Sequence, residues 1–205
     1  MYSDSDWLRI LSGAGVRDFT AAKWAHPFAD EVQLDKFSKG EADLIDFLPQ
    51  ILHETNLLEQ LQENLLYNPE RICQVWPNRF PTLASALPCA MNAQRLANTV
   101  YADRMGNGNF ASGDGYTFAG KGPPMLTGRA AYKHVGLLCG QDLEVSPQLM
   151  LQPHFGLSIA IRWWEGDIPD SMLGDQVSLR RKVNGSTLGI ERVATIRSKL
   201  VEVLA

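Results

Sequence analysis

Cysteine is scarce in this chain of 205 residues, and the three present, Cys73, Cys89 and Cys139, show no CxxC spacing. So odd and sparse a set argues against a disulfide scaffold and against a zinc site. The three read as small apolar residues, with a Cys73–Cys89 bridge open only in an oxidising compartment. Long apolar runs are missing too. No segment approaches the ~20 residues needed to cross a bilayer, so no membrane insertion is expected. The opening stretch MYSDSDWLRILSGAGVRDF is acidic at its start and only briefly apolar, which is not the pattern of a secretory signal. Synthesis in the cytoplasm is the expectation, with release or delivery by other means for any action elsewhere. Excess positive charge is also lacking: 19 Lys and Arg against 23 Asp and Glu give a net charge of −4. A nucleic-acid partner, which calls for a basic surface, is not expected.

What is present is ordinary for one globular domain, with 45% apolar and 20% charged residues. Apolar spacing is mostly helical. EADLIDFLPQILHE (41–54) carries Leu44, Ile45, Leu48, Ile51 and Leu52 on one stripe, with Pro49 removing a backbone hydrogen bond inside it. NAQRLANTVYADRMG (92–106) repeats the pattern. Residues 146–167 hold two helical stretches broken near Pro153, and 189–205 form an amphipathic helix. Residues 106–128 contain too many glycines and prolines for a long element. The expected architecture is mostly α, a single domain over 1–205, with N-terminal helices in 1–54, an irregular cleft segment in 55–132 and C-terminal helices in 133–205.

Familiar motifs fail on inspection. GDGYTFAGKGPPMLTGR (113–129) approaches a phosphate loop through Gly115, Gly120 and Lys121. Gly122 stands where the magnesium-binding hydroxyl belongs, however, and Pro123-Pro124 follow where a helix should begin. HETNL (53–57) starts like H-E-x-x-H but ends in Leu57, and His26, His134 and His154 lack ligand spacing to His53. DRMGNGNFASGD (103–114) has Met105 where a calcium loop needs oxygen. Neither metal nor cofactor is expected. There remain two carboxylates, Glu54 and Glu63. On one straight helix, nine residues would set them ~13 Å apart on opposite faces, so they can cooperate only if the chain turns between them, with Asn56 the natural place. Spacing alone leaves both readable as solvated glutamates, and His53 as a packed or capping side chain.

The order of four segments adds to this. FLPQILHET, ENLLYNPERICQVWPNRFP, LANTVYADRMGNGNFASGDGYTFAGKGPPMLTGRAAY and VNGSTLGIERV, spread from about Trp24 to the C-terminus, resemble glycoside hydrolase family 19. That group comprises chitinase-like enzymes, many bacterial and bacteriophage members being peptidoglycan-cleaving endolysins. The resemblance implies a lysozyme-like, two-lobed helical fold and inverting hydrolysis of β-1,4 bonds next to N-acetylated sugars. It matches Glu54 to the general acid, Glu63 to the general base and Thr127 to the hydroxyl that holds the attacking water. Tyr101, Asn107 and Asn184 fall where the family contacts substrate or shapes the cleft, and Arg192 where an arginine sits near the acid carboxylate.

The 113–129 loop resembles the family's cleft wall, in which glycines would let backbone approach sugar. It departs from the family pattern where Lys121 replaces arginine and Pro124-Met125 replace Ile-Gln, losing an amide from the sugar-facing wall. Trp76, Trp163 and Trp164 are candidates for stacking on sugar, against the commoner role of tryptophan in a core. The acid role would require an apolar setting for Glu54. The expected function is therefore a monomeric, peptidoglycan-degrading hydrolase of the muramidase type. The alternatives are a chitinase, a secreted antibacterial effector with a cognate inhibitor protein, and a glycan-binding module that no longer cuts.

Overall fold

A computed structural model describes residues 2–205. Helices α1 (Asp4–Gly13), α2 (Asp18–Glu31) and α3 (Glu41–Glu54) open the chain. α1 starts on a capping box, in which the Ser3 hydroxyl accepts from the Asp6 N–H while the Asp6 carboxylate accepts from the Ser3 N–H. α3 continues through the buried Pro49. Helices α4 (Pro69–Val75), α5 (Leu83–Ala86), α6 (Ala93–Val100) and α7 (Asp114–Thr117) are short. The chain closes with α8 (Arg129–Cys139), α9 (Pro153–Asp167), α10 (Gln176–Asn184) and α11 (Ile190–Leu204). The helix expected over 92–106 stops at Val100, because Asp103, Met105 and Gly106 take left-handed backbone (φ 56°, 53° and 78°). Pairing of strand type among the described residues is confined to isolated bridges, Gln62 with Lys121 and Lys121 with Leu126.

Two hydrophobic cores divide the molecule. The larger joins the N- and C-terminal helices around Trp7, Phe28, Phe47, Leu48 and Trp164, all fully buried. Each such side chain stabilises the fold by roughly 1.5–3 kcal/mol on leaving water. The smaller core gathers Leu65, Ile72, Phe80, Leu96, Ala97 and Val100, with Ala119 from the glycine-rich loop. The chain leaves α3 directly after Glu54 and passes from the larger core, which still holds Leu58 and Leu61, to the smaller one at Leu65. Asn56, Leu57 and Leu58 lie along this passage in succession in the left-handed region (φ 49°, 60° and 65°), so the turn includes Asn56 and two leucines as well. Cys73, Cys89 and Cys139 are free thiols, so no Cys73–Cys89 bridge forms.

Candidate active site

A cleft of about 600 Å³ lies between the lobes, lined by Glu54 and Glu63 together with Tyr101, Met125, Thr127 and Asn184. Glu54 reaches it from the last turn of α3. Its Oε1 accepts from Arg180 Nη1 at 2.6 Å, and the Arg180 side chain is only 1% exposed. Arg180 also donates through Nη1 to Gln50 Oε1 (3.1 Å) and through Nε to Leu188 O (2.7 Å). The expected apolar setting of Glu54 is therefore replaced by an ion pair. The arginine is also a different one from that expected. Arg192 donates instead to Asn56 Oδ1 at 2.8 Å, tying α11 to the interlobe turn. No local pattern separates Arg180 from Arg181 in the sequence; only the fold, which buries one and exposes the other, does so.

His53 is packed rather than reactive. Burial, and then the Arg180 charge, lower its pKa and keep the ring neutral. Gly189 covers it so closely that a Cβ there would fall 2.3 Å from His53 Nε2, at a backbone φ of +80°. Only glycine meets both conditions.

Glu63 sits on the other wall. Its N–H donates to Gly120 O at 2.8 Å, and Gly122 N–H to Leu61 O at 2.8 Å, which fastens the 61–63 segment to the loop. The carboxylate accepts from Tyr101 O–H at 2.7 Å and from Gly120 N–H at 3.3 Å. Burial, followed by the Glu63 charge, pushes the Tyr101 phenol far above its ordinary value, so it remains a donor. Thr127 lies just beyond. A Cβ placed on Gly120 would meet Thr127 Oγ1 at 3.3 Å and Glu63 Oε2 at 3.6 Å, so hydroxyl and carboxylate both lie against this glycine. The Thr127 hydroxyl donates to Met125 O at 3.0 Å, which leaves its lone pairs to accept.

Other candidate residues have duties elsewhere. Asn107 is buried and structural, donating to Tyr101 O and accepting from Arg129 N–H. Lys121, 1% exposed, is not part of the cleft lining and donates to Thr117 O at 2.7 Å. Burial pulls its ammonium down to about 8, against an opposing pull from Glu63. Asp114, in the calcium-like stretch, is occupied by a two-pronged contact from Arg129 (2.6 and 2.9 Å).

Most loop glycines serve packing rather than sugar. Gly115 abuts the Ala97 carbonyl, Gly122 abuts Met150 and Gly128 abuts Met105. Of the three tryptophans only Trp163 lines the cleft; Trp164 is core and donates to Asp43 Oδ1, and Trp76 packs near the smaller core. Gln60, Gln62, Asn64, Tyr67 and Lys182 also line the cleft, though nothing in their local spacing singles them out. Three of these are amides, the group that Met125 lacks.

Fold and cleft define the class: a lysozyme-like helical domain with two carboxylates brought to one groove from different lobes. Comparison with known proteins makes this more particular. No family model matches the chain. A "Glycosyl hydrolase family 19 domain-containing protein" from Haemophilus influenzae is 29% identical over 157 residues, 76% of this chain and 77% of that protein. The crystal structure of chitinase C from Streptomyces griseus HUT6037 superposes with a TM-score of 0.60 at 14% identity, covering 98% of this chain and 91% of the other. A mutant chitinase C superposes at 0.59 with 14% identity, over 98% of this chain and 76% of the other. The resemblance to glycoside hydrolase family 19 is thus shown in sequence, and its fold in structure.

Proposed function

We propose that the chain is a glycoside hydrolase that cuts β-1,4 bonds between N-acetylated sugars in peptidoglycan, by inverting acid–base chemistry. Glu54 is the proton donor to the leaving glycosidic oxygen, a role that requires it to be protonated in the sugar-filled cleft despite its ion pair with Arg180, and Glu63 takes a proton from the attacking water. Inversion needs room for that water between the carboxyl groups. The observation that carries the reading is that Glu63 Oε2 and the Thr127 hydroxyl both lie against Gly120 on the cleft wall, where one water can reach the two together. A water bridging the two groups from the cleft side would donate to the carboxylate and to the threonine, leaving a lone pair free for the anomeric carbon. Lys182, exposed on the cleft wall, favours peptidoglycan, whose peptide stems carry carboxylates that chitin lacks. Chitin is the second reading, favoured by the likeness to chitinase C. Action on the wall as a monomer follows release or delivery from the cytoplasm, and an effector role would add an inhibitor protein as partner.

The test is incubation with purified sacculi and, separately, colloidal chitin. New reducing ends from sacculi support the proposal, while new ends from chitin alone replace the substrate. Binding without new ends from either makes the chain a glycan-binding module. Proton NMR within minutes of cutting should show the α anomer first; initial β product would overturn the roles of Glu63 and Thr127 together.

A further inference from the structure

Outside the cleft, three helices bring histidine and carboxylate groups together. His26 and Asp30 lie one turn apart on α2, and His154 lies in the first turn of α9, directly after Pro153. Their ligand atoms all fall within 4.8 Å of one another. Asp30 Oδ2 is 3.5 Å from His26 Nε2 and 3.2 Å from His154 Nε2. In a tetrahedral zinc site with bonds of 2.0–2.1 Å, neighbouring donor atoms stand about 3.3 Å apart. The two distances straddle that value. Asp4, at the start of α1, approaches the far nitrogen of His26, with Oδ2 at 3.3 Å from Nδ1. A carboxylate on the far ring nitrogen is how metal-binding histidines are commonly oriented, because it places the proton on Nδ1 and frees the Nε2 lone pair.

The geometry points to a divalent-metal site of the zinc class at His26, Asp30 and His154, with Asp4 as the orienting carboxylate. Two imidazoles and one carboxylate suit zinc or cobalt(II) better than the harder calcium or magnesium. The side chains of His26, Asp30 and His154 are 65%, 49% and 45% exposed, so water completes the coordination. The supports are rigid. Phe28 on α2 and Leu157 on α9 are fully buried in the larger core and fix both helices behind the ligands. The site shares no residue with the cleft lining. Its effect is to clamp α2 to α9, segments 124 residues apart in sequence at Asp30 and His154. That separation is why spacing alone shows no ligand set.

Titration of the metal-stripped protein with zinc chloride in a calorimeter should give one site per chain. Thermal melting with zinc at about one hundred times Kd should then raise Tm by roughly 5–10 °C. His154→Ala and Asp30→Asn should each weaken zinc binding at least tenfold. His134→Ala, removing a surface histidine paired with Asp167, should leave it unchanged. Cobalt(II) should give the intense visible bands of four-coordinate metal, a readout independent of stability. The proposal is overturned if zinc neither binds nor raises Tm, or if His154→Ala binds as tightly as the wild type. Loss of zinc binding in His134→Ala would overturn it equally. Glycan cleavage is read separately, so failure of one proposal does not decide the other.

Discussion

Replacing Arg180, buried behind the cleft wall, with methionine should destabilise the fold strongly through its coupling to Glu54. The substitution keeps most of the side-chain volume but removes donors to Glu54, Gln50 and the Leu188 carbonyl. Breaking a buried pair by removing one partner typically costs 3–5 kcal/mol, because the other charge is left uncompensated. Glu54 keeps 15% of its side chain exposed, so water recovers part of this, and about 3 kcal/mol is the working figure. For a chain of this size Tm should fall by about 6–12 °C.

Urea unfolding followed by the fluorescence of the five tryptophans measures the loss, provided that the m-value is unchanged. Glu54→Gln supplies the rest of a double-mutant cycle. An amide needs no counter-charge, so Arg180→Met should cost only about 1–1.5 kcal/mol in that background, and the two changes should couple by about 1.5–2 kcal/mol. Coupling below about 0.5 kcal/mol, the margin expected of independent sites, would refute the argument.

Glu54→Gln alone should reduce cleavage by about 10²–10⁴-fold with the fold retained by circular dichroism, since an amide cannot deliver the proton; a variant within a few-fold of wild type would remove Glu54 from the mechanism. Gly120→Ala should fold and bind oligosaccharide but cut poorly, because the methyl group would press on both Glu63 and Thr127 and displace them from each other; undiminished initial rates would dismiss their joint role in holding the water. Stability should rise from pH 8 towards 10, since folding lowers the Lys121 pKa to about 8 from 10.5 and the unfolded chain then binds more protons. The gain is about 3 kcal/mol at most, and it reverses above pH 10 as unfolding releases the raised phenols of Tyr101 and Tyr132. Lys121→Met should abolish the rise, and urea titrations across that range would show whether it does. Met125→Gln should raise activity on chitin oligomers more than on peptidoglycan; equal or lower rates on both would mean that the Gly122–Met125 turn, with Met125 at φ 48°, governs the wall's shape.

Local pattern was enough for the elements that bury one face. α3 begins and ends where the apolar stripe does, and α11 buries Val193, Ile196 and Leu200 as its spacing requires. It was not enough where backbone conformation overrides periodicity, as at Asp103 and Met105, which end α6 early. In the cleft, motif order located Glu54, Glu63, Tyr101, Met125, Thr127 and Asn184. Arg180 escaped because one buried guanidinium among exposed basic neighbours has no signature before the fold forms. Lys121 misled for the converse reason: a cation in a glycine-rich loop reads as a ligand for substrate, yet here it ties down two carbonyls of its own loop.

The stretch from His53 to Leu58 shows how closely acid, turn and lobe geometry depend on one another. Three consecutive non-glycine residues in left-handed backbone are strained, by about 1–2 kcal/mol each in the general case. Thr55 offsets part of that cost. Its hydroxyl donates to Ile51 O at 2.8 Å and accepts from Leu58 N–H at 2.9 Å, so the last turn of α3 and the end of the strained segment share one buried atom. Leu57 N–H donates back to Leu52 O at 2.6 Å and Gln60 N–H to Thr55 O at 2.9 Å. Asn56, the residue of the three that best tolerates such backbone, is fixed from outside by Arg192. An ordinary right-handed continuation of α3 would satisfy the same backbone groups without strain, but it would carry Glu63 away along the helix axis. The strained turn is what returns the chain to Gly120 and sets Glu63 across the groove from Glu54. Strain, ion pair and catalytic geometry therefore rest on one stretch, His53 to Leu58, in which His53 packs, Glu54 faces the cleft, Thr55 pins the turn, Asn56 ties it to α11 and Leu57 and Leu58 complete the left-handed run.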